Sequence, residues 1–276
     1  MSVIFKAEDH SYKSSDPNEE IKWTSVTSFI SKFKEKFDAE AQAVRSSKNK
    51  KSKWYGLTPE EIQNHWSSEA NRAVTLGGWY HDQREQDLIS HDTLDRQGIS
   101  VPIFKPLIEG ESKVSPEQRL VEGIYPEHFV YLKSAAICGQ ADRIEVVKNV
   151  VSVYDYKTNK EIKKESYRNW EGIPKMMSGP CAHLEDCNFN HYALQLSMYL
   201  YIILKHNPRY NPGKLELQHV TFEVEKYNEF GNPIHKLVNN EPVIKEIVNY
   251  ELPYLKNEVR AMIQWGIENK NEKSKS

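Results

Sequence analysis

The 276-residue sequence is poor in three things, and each shortage excludes a class of protein. It has no apolar run of about 18 residues, which removes a membrane-spanning helix and a membrane partner from the expectation. It has three cysteines, Cys138, Cys181 and Cys187, too few and too oddly numbered for a disulfide scaffold. It also lacks a dominant sign of charge: 37 Lys and Arg against 39 Asp and Glu leave −2. Bulk electrostatics therefore cannot coat nucleic acid, although a local basic groove remains compatible. Neither a signal-peptide pattern nor a Walker-type glycine loop is found. The expectation is an intracellular protein in a reducing compartment.

Hydrophobic residues make up 38% of the chain, enough for a sizeable core, and no long linker or internal repeat divides it. A single domain over 1–270 is expected, with a helical N-terminal part at about 22–100, a core at about 117–225, and a strand and helix at 226–267. The lysine-rich end, 268–276, reads as disordered. "VIFKAEDHSY" alternates like an opening strand. "KWTSVTSFISKF" then turns to helical spacing with Phe29, Ile30, Phe33 and Phe37 on one side, capped by Ser25 or Thr27. "SSKNKKSK" at 46–53 reads as a basic loop. From Glu60 to Leu88 the pattern is helical again, with Trp66, Ala70, Ala73, Gly77 and His81 at three-and-four spacing. A proline-containing connection leads to the strand-rich "FVYLKSAAICGQADRIEVV". An apolar helix at "HYALQLSMYLYIILKH", strands near "KLELQHVTFEVE" and "PIHKLV", and a last amphipathic helix at about 243–267 complete the pattern.

The stretch "GQADRIEVVKNVVSVYDYKTNK" reads as a hairpin. A turn centred on Lys148 and Asn149 pairs Val147 with Val150, Ile144 with Val153, and Asp142 with Asp155. Alternation then puts Ile144, Val146, Val151 and Val153 on one face with Asp142, Asp155 and Lys157. Two carboxylates facing each other repel, so a positive charge is required between them. Lys157 alone would make a core-edge salt bridge. A hard cation such as Mg2+ or Mn2+ would bind the carboxylates and leave the lysine free for chemistry.

An Asp after a Gly-containing strand, followed by Asp-X-Lys closing the next, resembles the PD-(D/E)XK nuclease core, and "GQADRI…VYDYKT" with Thr158 is similar to its RecB-like exonuclease branch. The resemblance implies an α/β restriction-endonuclease-like core, a central mixed β-sheet flanked by helices. It implies that Asp142, Asp155 and the Tyr156 carbonyl bind Mg2+ or Mn2+, and that Lys157 orients or activates the attacking water. Gln195 and Tyr199 match the branch's Gln-X-X-X-Tyr helix, which positions DNA and carboxylates; on residues alone, Gln195 is equally a core glutamine. Gly77 and His81 match its Gly-X-X-X-His, with the histidine as a further metal ligand, against the plainer reading of a structural histidine. Gly77 and Gly78 in mid-helix point to close packing or ligand approach. Ser25, Thr27 and Lys32 resemble the branch's opening and imply phosphate contacts, beside the reading of an ordinary capped helix; Thr158 joins the nucleic-acid contacts. Arg143, on the other strand face, reads as structural.

The activity implied is a metal-dependent deoxyribonuclease acting on single-stranded DNA or DNA ends, with DNA and possible replication or recombination proteins as partners in a DNA-containing compartment. At this size the chain resembles small exonucleases of viral replication or organellar genome maintenance. A DNA endonuclease, and a non-catalytic nucleic-acid-binding protein of the same fold, are the rival readings. Some RecB-like members carry an iron–sulfur cluster on four cysteines; with three, none is expected here. Cys181, His183, Cys187 and His191 have a spacing that permits zinc, although His191 is better explained by its stripe with Gln195.

Overall fold

The computed structural model describes residues 3–6, 11–14, 16, 18, 21–109, 112–114 and 118–273. Its central sheet has six strands: β1 (Thr24–Ser25), β2 (Gly123–Leu132), β3 (Ile137–Val147), β4 (Val150–Lys157), β5 (Asn211–Phe222) and β6 (Ile244–Leu252). The helices are α1 (Val26–Ile30), α2 (Ala39–Lys48), α3 (Pro59–Ile89), α4 (Asn188–His206) and α5 (Lys256–Lys273). Lys148 and Asn149 have φ of 49° and 62°, the two left-handed positions of a type I′ turn. That turn sets the expected register between β3 and β4, from Val150–Val147 to Tyr154–Arg143. β2 runs antiparallel along the other edge of β3. β1 takes over, in parallel, the edge of β3 that β4 leaves free, at Ile137 and Cys138.

After β4 the chain crosses over through α4 and returns as β5, parallel to β4, and β6 closes the far edge antiparallel to β5. α4 is apolar nearly all round and accordingly buried. It covers the face carrying Ile144, Val146, Val151, Val153, Leu215 and Leu217, together with α1 and α5. α3 covers the opposite face, where Tyr80 packs with Tyr156, Val220 and Phe222. The molecule is thus α/β, a mixed sheet flanked by helices. None of the described helices is long and apolar enough to cross a membrane.

Several boundaries differ from expectation. The first helix ends at Ile30 and continues only as a 3-10 turn to Phe33. Phe37 lies past it, 72% exposed with its ring tilted against that of Trp66 at 5.8 Å, because Asp38 instead caps α2. α2 in turn takes in 46–48 of the stretch expected to loop. Residues 244–252 are strand, not helix: Pro253 cannot sit inside a helix spanning 243–267. The last helix continues through 268–273, part of the tail expected to be disordered. Of the opening strand, residues 7–10 lie outside the described residues, as do 274–276 of the tail.

Candidate active site

Asp142 and Asp155 stand just past the last paired rung of the β3–β4 hairpin, Tyr154–Arg143, where the strands part. Both are buried, with 8% and 1% of their surface exposed. Asp142 Oδ2 accepts the Tyr156 N–H at 2.6 Å, so a carboxylate takes the place of a ladder partner at this rung. A helix reaches each acid from its own side of the sheet. From α3, His81 places Nδ1 3.4 Å from Asp142 Oδ2 and Nε2 3.0 Å from the Tyr156 carbonyl. From α4, Gln195 Nε2 donates to Asp155 Oδ1 at 3.2 Å and to Tyr199 Oη at 3.3 Å. Lys157 pairs with Asp155 Oδ2, its ammonium 5.2 Å from the centre of the Tyr192 ring. Gly139 makes room for Tyr199: a Cβ there would lie 2.6 Å from Tyr199 Cε1.

The charges hold one another. Burial opposes ionisation of Asp142, but His81, Lys157 and the Tyr156 N–H outweigh it and hold its carboxyl below the usual carboxylate range. Burial likewise disfavours the charged His81 ring, yet Asp142, helped by Asp155, pushes it up to about 9. Asp155 is raised to about 6, chiefly by burial, with Lys157 opposing and Asp142 adding to the rise. Against its own burial, Lys157 is raised by Asp155 and Asp142, so at neutral pH it is a fixed ammonium.

Glu127, absent from the sequence reading, belongs to this group. Pairs Pro126–Arg143 and His128–Ala141 flank it, so it lies opposite Asp142 across β2 and β3. Its φ of 49° is left-handed, uncommon for a non-glycine residue, and its carboxylate accepts from Gln140 Nε2. His81, Glu127 and Asp142 each offer a ligand atom within 4.8 Å of the others, a group able to hold a metal ion. Asp155, expected as the second aspartate ligand, lies outside that tight group and is turned to Lys157 and Gln195.

The remaining expected contacts sit elsewhere or are otherwise engaged. Ser25 caps α1, accepting from Ser28 N at 3.1 Å and donating to Ser28 Oγ at 2.8 Å, with Thr27 Oγ1 3.2 Å away. Lys32 lies over the Phe29 ring at 5.3 Å and lines a cleft with Trp265 and Asn269. Thr158 Oγ1 is 3.4 Å from where a Cβ on Gly77 would be, ordinary contact, whereas nothing lies within 4 Å of such a Cβ on Gly78. Close packing therefore accounts for neither glycine. Arg143 is structural, stacked 3.9 Å from the Tyr154 ring centre and 3.4 Å from Glu145. The possible zinc ligands are engaged separately: His183 meets Glu258 at 3.1 Å, His191 meets Asp186 at 2.7 Å, and Cys187 Sγ donates to the Lys164 carbonyl at 3.4 Å. Cys181 is buried in the core, in a 3-10 turn that packs against α5. His191 lies on α4 one turn before Gln195, in the expected stripe, and its ring meets Asp186.

No protein-family model and no curated protein matches the chain. Among solved structures, one described as the crystal structure of SSO0001 is similar at 14% identity over 93% of this chain and 80% of that one, with a TM-score of 0.31. At that score the likeness bears on neither fold nor function.

Proposed function

We propose that the chain is a divalent-metal-dependent deoxyribonuclease, an exonuclease hydrolysing phosphodiester bonds in single-stranded DNA or at DNA ends during replication, recombination or repair. The observation that carries this reading is the meeting of two buried aspartates, an ammonium and an imidazole at the open end of one hairpin. The order of elements also supports a restriction-endonuclease-like core of the RecB-like branch: three antiparallel strands, a crossover helix, and a strand parallel to the third.

The donor set fits a hard cation, being mostly oxygen, with one imidazole. His81, Glu127 and Asp142 are the groups that would hold Mg2+ or Mn2+; Asp155 would join them only on turning from Lys157, and the Tyr156 carbonyl only on release from His81. Such an ion supplies a water nucleophile at neutral pH and a clamp on developing oxyanion charge. Lys157, kept protonated by Asp155, acts as a charge and a hydrogen-bond donor toward the attacking water and the phosphoryl oxygens, not as a base. Gln195 fixes the orientation of Asp155, and Tyr199 anchors Gln195. His81 joins α3 to the carboxylates.

The test is hydrolysis of labelled linear single strands, blunt duplex and circular DNA with Mg2+ or Mn2+. Asp155→Ala and Lys157→Ala should each lower the rate by at least about a hundredfold. Cleavage indifferent to both substitutions overturns the assignment. Cleavage of circles would make the protein an endonuclease, and binding without hydrolysis would make it a non-catalytic binder.

A further inference from the structure

We propose that a cavity of about 430 Å3 beside the active-site end of β4 receives an unpaired nucleobase of the substrate strand. This rests on the hydrolase reading and narrows it to a class of substrate. The cavity adjoins the site through two elements. Thr158, the residue after Lys157, forms part of its wall, and α3 supplies Arg72 and Leu76 just before Gly77 and His81. Leu76 and His81 are separated by about 7.5 Å along the helix axis. A phosphate held beside His81, on the α3 side, would have its neighbouring sugar and base within reach of the mouth of the cavity.

The lining suits the two kinds of surface that a base presents. Leu76, the buried Phe222 and the rim residue Tyr227 offer apolar and aromatic walls for its faces. Polar groups sit among them. Arg72 is steered by Glu69 and by the Pro233 carbonyl. His235, with its ring 5.5 Å from that of Phe222, and Asn232 line it as well. A base edge carries donors and acceptors that such side chains can meet. An apolar ligand would leave Arg72 and Asn232 unmet, and a bare phosphate would leave the aromatic walls unused. Because a base in a duplex is stacked and paired, the cavity favours a single strand or a frayed end.

The experiment measures binding of fluorescent single strands, in Ca2+, carrying one abasic residue at successive positions from each end. Wild type should show one position at which removing the base weakens binding about tenfold. 2-Aminopurine placed there should be quenched on binding. Tyr227, 64% exposed at the rim, can be removed without disturbing the core, and Ala73 lies on the exposed cavity-facing side of α3. Tyr227→Ala and Ala73→Trp should both abolish the positional effect. A flat abasic profile in a wild type that hydrolyses DNA, or an unchanged profile in both variants, overturns the base pocket alone. A wild type that neither binds nor hydrolyses any strand overturns the hydrolase reading and the pocket with it.

Discussion

At the scale of single residues, the site depends on carboxylates placed where folding brings like charges together. Glu127 is the sharpest case, held opposite Asp142 in left-handed backbone, a conformation that costs free energy in a non-glycine residue. If it helps hold the cation, Glu127→Gln should weaken Mn2+ binding by roughly tenfold or more, read by calorimetry, with Asp142→Asn as the stronger control. Equal affinity in Glu127→Gln and wild type would remove it from the ligand set. Gly139 has a structural role. Its added Cβ would meet Tyr199 Cε1 at 2.6 Å and Val26 Cγ2 at 3.3 Å, both on buried side chains. Gly139→Ala should therefore destabilise the protein by about 1–3 kcal/mol in urea unfolding. Glu127 could not be placed from the sequence because β2 and β3 are joined through a 3-10 turn and a left-handed Ala136, not through a two-residue turn. Without a recognisable turn, the register between those strands is not readable.

At the scale of elements, α3 is built from local signals and then used at long range. Thr58 and Glu61 form a complete capping box, and Pro59 opens the helix, so its start is legible in the sequence. Along it, Tyr80 packs on the sheet and His81 reaches Asp142. Gly78, with open space around it, contributes only a cost in backbone entropy. Gly78→Ala should raise stability by about 0.5–1 kcal/mol in thermal unfolding. A loss of DNA affinity in that variant would show instead that the open space receives ligand. β6 is the opposite case. Its segment has enough apolar residues to imitate a helical stripe, but pairing along β5 from Leu215–Leu252 to Phe222–Ile244 overrides that local pattern.

At the scale of the whole molecule, the coupled charges make stability depend on pH. The folded value of His81, about 9, lies above its free value of 6.5. Its contribution is therefore complete below about 6.5 and is lost as pH rises through about 9. Asp155, raised from 3.8 to about 6, adds a separate fall as pH climbs between those values, because its charged form is the disfavoured one. The urea midpoint of the metal-free protein should decline through both windows, and the upper decline should be missing in His81→Asn. A wild-type midpoint flat from pH 6.5 to 9 would contradict the His81–Asp142 coupling. With the proposed cation at about a hundred times its Kd, global stability should rise by about 2.7 kcal/mol, and the rise should vanish in Asp142→Asn.

The sequence by itself determined what is local. A two-residue turn set the register that carries Asp142 and Asp155 to the open end of the hairpin, and the largely apolar stretch 191–206 announced a buried helix. Only the tertiary structure decided which distant groups meet. His81 arrives from a helix more than sixty residues upstream of Asp142, Glu127 arrives across an irregular connection, and the candidate zinc ligands disperse to separate partners. Local geometry follows from backbone sterics at neighbouring residues, which every short segment carries with it. Contacts between remote segments follow from the joint packing of both sheet faces, and no short stretch of sequence contains that information.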